Sequence, residues 1–191
     1  MHRLIISTPD GGMSTPLSTT NIDRLSLNDD DKKVREWFIN EVRQLGCTVK
    51  IDTMGSIFAT RAGENNDIPP IALGSHLDTQ PKGGKYDGIL GVNCALEVLR
   101  TIHEAGYTTF APLCIVDWTN EEGARFNPAM LASGVWGGAF ELDYAHRRAD
   151  SDGKTIKNEL ERIGFLGQIG CSYAENPLSA HFECHIEQGI P

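Results

Sequence analysis

The chain has 191 residues, of which 40% are hydrophobic and 23% are charged, proportions that are ordinary for a globular domain with a sizeable core. Its formal net charge is −9 and it has no Lys/Arg cluster, which argues against nucleic-acid and anionic-membrane partners. No apolar run approaches the roughly 18 residues that a membrane-spanning helix needs.

The elements predicted along the chain alternate between helices and strands. Residues 1–27 are rich in Ser, Thr, Pro and Gly, which predicts a poorly ordered lead-in. Apolar spacing then predicts, in order, a helix at 28–46, strands at 47–52, 56–61 and 70–74, a helix at 89–105, a strand at 112–118, a helix at 155–163 and a strand at 180–186. This order indicates an α/β fold with a mixed, mostly parallel sheet flanked by helices.

Two patterns look like ligand sites but have simpler interpretations. The run Asp29–Asp31 could suggest calcium, yet it lacks the downstream glycine and glutamate of a calcium-binding loop, and negative charge favours a helix N-terminus. The glycines around Gly84 and Lys85 could suggest a phosphate loop, but Tyr86 stands where that motif needs Ser or Thr.

A first candidate site lies in GSHLDTQPKGGKYDGILGV, residues 74–92. If the strand continues, His76 and Asp78 point to one face about 6.6 Å apart, which suits a metal-binding imidazole whose far nitrogen is held by a carboxylate. Alone, a His-x-Asp pair is more often a hydrogen-bonded histidine. Asp87 precedes the next helix, so its carboxylate can turn back over the strand end, where ligands bind in open α/β sheets.

A second candidate site, Glu121 and Glu122, directly follows the strand at 112–118. Adjacent carboxylates repel each other, and a solvated acidic turn is the simpler interpretation. With a cation present the pair can divide the work, because one glutamate binds the cation while the other takes a proton from water.

A third candidate is His185 in HFECHIEQG, which alternation places at a strand end on the same face as Glu183 and Glu187. The other histidines are interpreted as structural: His2, His103, His146 and His181.

Three strand ends thus offer imidazole and carboxylate groups to one place. Ligands of this type suit Zn²⁺, with Mn²⁺, Co²⁺ or Ni²⁺ as alternatives. An aspartate that can bridge, together with several other ligands, suggests two metal ions rather than one. No thiolate is required, and the five cysteines form no CxxC pair, so we expect buried or idle thiols in a reduced, cytoplasmic protein.

The three motifs, GSHLDTQPKGGKYDGILGV, NEEGARF and HIEQG, resemble the amidase branch of the M20 metallopeptidase superfamily. That branch contains N-carbamoyl-L-amino acid hydrolases, β-ureidopropionase and allantoate amidohydrolase. The resemblance runs from about Arg24 to Gly189. It implies a zinc-exopeptidase-like catalytic domain, of which 28–191 would be the N-terminal part, and hydrolysis of an N-carbamoyl group to a free amino acid, CO2 and ammonia.

By position, the resemblance also implies a role for each candidate residue. His76 and His185 would bind the first metal, Asp78 would orient His76, and Asp87 would bridge the two metals. Glu121 would be the general base, Glu122 would bind the second metal, and Gln188 would contact the carbamoyl group.

The sequence also departs from the family pattern. Ser14–Asp23 looks inserted, and the chain stops at Pro191, before the lid and dimerisation domain, the late metal-binding histidine and the substrate-binding arginine of the family. The resemblance therefore implies an incomplete copy of an enzyme that is a homodimer at full length. The alternatives are an M20 aminoacylase or peptidase, and an inactive fragment that binds a metal or a partner.

Overall fold

Residues 23–186 are described in a computed structural model, in which helices and strands alternate along most of the chain. The elements, in chain order, are α1 Asp29–Gln44, β1 Thr48–Ile51, β2 Ile57–Arg61, β3 Ile71–Ser75, α2 Ile89–Glu104, β4 Leu113–Asp117, α3 Leu131–Trp136, α4 Leu142–His146, α5 Ile156–Ile163 and β5 Ala180–Phe182. Helices α3 and α4 were not predicted, because each is under two turns long and neither begins with a side-chain cap. None of the helices within 23–186 combines the length and the apolar character needed to cross a bilayer.

The five strands form one sheet in the order β1-β2-β4-β3-β5, with β4 at its centre. The pairs β1–β2 and β2–β4 are antiparallel, whereas β3–β4 and β3–β5 are parallel. The mixed sheet of the prediction is therefore confirmed. Because β3, β4 and β5 run in the same direction, their carboxyl ends lie at one edge of the sheet.

The main core lies between one face of the sheet and the helices α1, α2 and α5, and Phe38, Leu96, Ile115 and Leu160 are fully buried in it. A smaller cluster on the opposite face contains Phe58, Ala72, Cys114, Val116, Trp118 and Leu178. Strand β4 is buried at every position, as expected for a central strand covered on both faces.

The last strand is shorter than predicted. A strand at 180–186 was expected, but β5 ends at Phe182, after three residues paired with Ile71, Ala72 and Leu73 of β3. Beyond that point the side chain of Ser75 donates a hydrogen bond to the Glu183 carboxylate. The strict alternation expected for 183–186 is therefore wrong, and His185 reaches the sheet edge from a segment without regular structure.

Asn28 caps the N-terminus of helix α1, because its side chain accepts a hydrogen bond from the backbone N–H of Asp31 at 2.7 Å. The carboxylate of Asp31 accepts from the backbone N–H of Leu27 at 2.7 Å and from Arg35 Nε at 2.8 Å. The acidic run thus serves the helix N-terminus, as predicted.

The predicted lead-in, residues 1–27, lies mostly outside the described residues. Within its described end, Arg24 is buried; its backbone N–H donates to Thr79 Oγ1 at 2.9 Å and its Nε donates to the Leu77 carbonyl at 2.6 Å. These bonds hold the chain that immediately follows β3, where His76 and Asp78 lie.

Candidate metal centre

The sheet edge formed by β3, β4 and β5 brings together side chains from three distant parts of the sequence. His76 directly follows β3, the pair Glu121 and Glu122 follows β4, and His185 follows β5. Asp87 lies just before α2, the helix that connects β3 to β4. This is the edge at which the sequence predicted the candidate ligands to meet.

Among the described residues, His76, Asp87 and His185 form the group whose possible ligand atoms all lie within 4.8 Å of one another. The two Nε2 atoms are 3.3 Å apart, and Asp87 Oδ1 lies 3.6 Å from His76 Nε2 and 3.2 Å from His185 Nε2. Nitrogen and oxygen ligands at about 2.0–2.1 Å from a tetrahedral Zn²⁺ lie roughly 3.3 Å from one another. The three atoms therefore have the spacing that such a cation requires.

Hydrogen bonding on the far side of each ring fixes which nitrogen faces this space. His76 Nδ1 lies 2.9 Å from the Asp78 carbonyl, and His185 Nδ1 lies 2.8 Å from the Ile186 carbonyl. A carbonyl can only accept, so Nδ1 donates in both rings, and in the neutral form of each ring Nε2 keeps the lone pair that can accept or bind a cation. Two acceptors and a carboxylate that face one another at van der Waals distance fit a cation between them.

Asp78 does not hold His76 in the way that the sequence predicted. Its carboxylate Oδ1 is 3.8 Å from His76 Nδ1, and its backbone carbonyl accepts the hydrogen bond instead. The carboxylate accepts from the backbone N–H groups of Glu121 and Glu122, at 3.2 and 3.3 Å. Asp78 therefore connects the ends of β3 and β4, orienting a histidine through its main chain and the glutamate pair through its side chain.

The two glutamates have different surroundings. Glu121 Oε2 lies 3.3 Å from His76 Nε2, close to the three-ligand group. Glu122 accepts a hydrogen bond on Oε2 from Gln80 Nε2 at 2.8 Å, while its Oε1 is buried without a hydrogen-bond partner in the described part of the chain. A buried carboxylate oxygen without a donor fits a role as a metal ligand.

The local charges favour a cation at this place. Burial, the largest influence on Glu121, raises the pKa of its carboxyl group, and neighbouring Glu122 adds to this effect against the opposing influence of His76. Burial opposes ionisation of His76, but Asp78 and Glu121 outweigh it and the pKa of His76 is raised. The raised pKa of His76, and the contribution of Glu122 to that of Glu121, reflect nearby negative charge that a divalent cation would neutralise.

Gly88 explains part of the glycine content of this stretch. Its φ is +65°, and a Cβ built on it would lie 2.5 Å from His76 Cε1, Nδ1 and carbonyl oxygen. The backbone thus passes against the His76 ring in a conformation and at a distance that only glycine allows. Gly88 therefore accommodates the ring of His76.

A buried ion network beneath the site was not predicted. The Arg35 guanidinium is fully buried; it contacts Asp31 and donates to the Gly55 carbonyl at 2.9 Å and to Thr119 Oγ1 at 3.2 Å, with Asp117 Oδ2 at 3.5 Å. Arg35 thereby attaches α1 to the start of the loop that carries the glutamate pair. The i,i+4 spacing of Asp31 and Arg35 was a visible signal, but Asp117 and Thr119 are far away in sequence.

Other candidates lie elsewhere. His181 accepts a hydrogen bond from the indole N–H of Trp118 at 3.3 Å, and His146 Nε2 lies 2.7 Å from the Thr53 carbonyl. Neither belongs to the group of His76, Asp87 and His185, and the structural role predicted for them stays a prediction. Gln188 lies outside the described residues.

Comparison with known proteins identifies the family of this chain. The model of peptidase family M20/M25/M40 matches residues 72–191, a range that contains all of the candidate ligands. The chain belongs to peptidase family M20/M25/M40.

Among the relatives of this M20 chain is an N-carbamoyl-L-amino-acid amidohydrolase from Rhizobium meliloti, 48% identical over 87% of this chain and 39% of the relative. An N-carbamoyl-L-amino acid amidohydrolase from Geobacillus stearothermophilus is 32% identical over 95% of this chain and 42% of the relative. The crystal structure of a hydantoinase/carbamoylase-family amidase from Burkholderia multivorans superposes with a TM-score of 0.87 at 49% identity, covering 92% of this chain and 42% of that one. The M20 chain thus spans about two fifths of the length of the proteins that it matches.

Proposed function

We propose that this M20 chain carries catalytic residues of a metal-dependent amidohydrolase that cleaves the carbamoyl C–N bond of N-carbamoyl amino acids. The observation that carries the proposal is the spacing of His76, Asp87 and His185, whose ligand atoms lie 3.2–3.6 Å apart in pairs. The substrate class is supported by the names of the relatives from Rhizobium meliloti and Geobacillus stearothermophilus.

His76, His185 and Asp87 are assigned to a first divalent cation, with Zn²⁺ as the expected metal and Mn²⁺, Co²⁺ or Ni²⁺ as alternatives. Asp87 and Glu122 are assigned to a second one, an assignment supported by the buried Glu122 oxygen that lacks a hydrogen-bond donor among residues 23–186. When bound, such cations acidify a water molecule and polarise the carbonyl of the substrate.

Glu121 is assigned as the general base. It takes a proton from the attacking water and delivers it to the leaving nitrogen as the C–N bond breaks, and burial raises the pKa of its carboxyl group towards the range that such proton transfer needs. Asp78 holds the Glu121–Glu122 backbone in position. Gln188, outside the described residues, is assigned to the carbamoyl group by its place in HIEQG.

Glu121→Gln and Glu122→Gln separate these roles. With N-carbamoyl amino acids as substrates and Zn²⁺ or Mn²⁺ added, we expect Glu121→Gln to abolish turnover and keep the metal content, and Glu122→Gln to lose metal. Metal loss on Glu121→Gln with retention on Glu122→Gln would show that the two roles are exchanged.

Substrate preference tests the reaction class. N-carbamoyl-α-amino acids, N-carbamoyl-β-alanine, allantoate and a dipeptide are compared under the same conditions. Turnover of the dipeptide alone would contradict the proposal and favour an aminoacylase or peptidase. Stoichiometric metal binding without turnover of any of the four would favour a metal-binding fragment.

A further inference from the structure

Two thiols meet beside the candidate metal centre, and neither has a part in the proposed reaction. Cys94 lies on α2 and is half-buried, whereas Cys184 lies in the segment after β5 and is exposed. The two thiols lie near each other, because Cys184 adds to burial, the larger cause, in raising the pKa of the Cys94 thiol. The other cysteines of the described chain, Cys47, Cys114 and Cys171, are buried.

The backbone geometry supports this proximity. A Cβ on Gly91 would lie 2.7 Å from the Cys184 carbonyl oxygen, so the absence of a side chain there lets the segment approach α2 closely. Gly91 and Cys94 are three residues apart and share one face of the helix. Cys94 and Cys184 also line one cavity of about 180 Å³ together with Leu73, Val98 and Phe182, so both side chains border the same space.

We propose that Cys94 and Cys184 are a modification site at which a peroxide forms an intramolecular disulfide. The exposed Cys184 thiol reacts first; one oxygen of hydrogen peroxide becomes the sulfenic acid of Cys184 and the other leaves as water. The sulfur of Cys94 then attacks the Cys184 sulfur, and the S–O bond breaks. The hydroxyl of the sulfenic acid takes up the thiol proton of Cys94 and leaves as a second water molecule. The two thiols lose two electrons and the peroxide gains them.

The disulfide would connect two parts of the chain that lie next to candidate metal ligands. Cys184 directly precedes His185, and α2 begins two residues after Asp87. The bond would therefore join the segment of one candidate ligand to the helix that follows another. In the reduced protein, the segment that carries Cys184 and His185 follows a strand of only three residues. A hydrogen bond from the Ser75 hydroxyl to the Glu183 carboxylate attaches this segment to the end of β3.

Differential alkylation tests the proposal on the whole chain. Protein freed of reductant is treated with one equivalent of hydrogen peroxide, alkylated and cleaved after Lys and Arg, which leaves Cys94 in peptide 86–100 and both Cys171 and Cys184 in peptide 163–191. Further cleavage after Glu175 separates these last two cysteines. We expect a cross-linked pair containing Cys94 and Cys184, with loss of alkylation at both, while the three buried thiols serve as internal controls.

The variants Cys94→Ser and Cys184→Ser should each abolish the cross-linked pair. Backbone amide exchange of 183–186 should slow on oxidation of the wild-type protein and stay unchanged in Cys94→Ser. Cys184 oxidised to sulfinic acid with Cys94 still reduced, a disulfide between two copies of the chain, or a pair that includes Cys171 would each overturn the proposal. These measurements require neither metal nor turnover, so their failure leaves the proposed function untouched, and failure of the proposed function leaves them valid.

Discussion

Replacing Gly88 by alanine tests whether the glycine-rich turn exists to accommodate the His76 ring. Gly88 has a φ of +65°, and Gly106, at the end of α2, has a φ of +62°. An added Cβ would lie 2.5 Å from three His76 atoms at Gly88, whereas at Gly106 it would meet nothing within 4 Å. Gly106→Ala is therefore a control that shares the backbone strain and lacks the steric contact.

The magnitude follows from these two contributions. A left-handed conformation costs a non-glycine residue about 1–2 kcal/mol, and both variants should lose this amount. Carbon atoms in contact prefer a separation of about 3.5–4.0 Å, so the Gly88 variant must also displace the His76 ring or its own backbone by roughly 1 Å. Overpacking of this kind costs about 1–3 kcal/mol, which gives a total near 2–5 kcal/mol for Gly88→Ala.

Urea unfolding without metal measures these free energies, and a competition assay with a chelator measures the affinity for Zn²⁺. We expect Gly88→Ala to bind Zn²⁺ about 10–100-fold more weakly, because the ligand ring loses its orientation, and Gly106→Ala to bind it like the unmodified chain. Equal stability losses and equal Zn²⁺ affinities in the two variants would refute the reasoning, since they would show that strain alone requires glycine at this position.

Two further predictions concern buried charges. Arg35→Met leaves the carboxylates of Asp31 and Asp117 without their shared cation, so the unfolding free energy should fall by about 3–5 kcal/mol. Lys33→Met, at an exposed position on the same helix, is the control and should cost less than about 1 kcal/mol. Similar losses for the two variants in urea denaturation would contradict this prediction. Burial raises the pKa of Asp52 from 3.8 to about 6, although hydrogen bonds from Cys171 and from the backbone oppose the shift. The folded state therefore holds this proton more tightly, and stability should fall as pH rises from about 4 to 6. Asp52→Asn should flatten the urea midpoint over that range, and an unchanged slope would argue against Asp52 as the cause.

Long apolar patterns were sufficient to predict most of the elements. Helices α1 and α2 and the central strand β4 appear close to their predicted bounds, because periodic burial is visible in the sequence. Strand β5 was predicted too long, because alternation continues past Phe182 while its pairing with β3 stops there. Nothing in HFECHIEQG indicates that a bond from Ser75, more than 100 residues earlier, takes over from the strand ladder.

The sequence by itself determined the types of the candidate ligands and that they follow strands, since His76, Glu121 and Glu122 come after apolar runs and His185 comes after an alternating segment. Only the tertiary structure decided the strand order, in which β3 pairs in parallel with both β4 and β5 and so brings the three strand ends together. It also decided the role of Asp78, whose carboxylate binds the backbone at Glu121 and Glu122 instead of the nearby His76. The physical reason is that side-chain direction and strand order arise from contacts between distant segments, which local spacing does not specify.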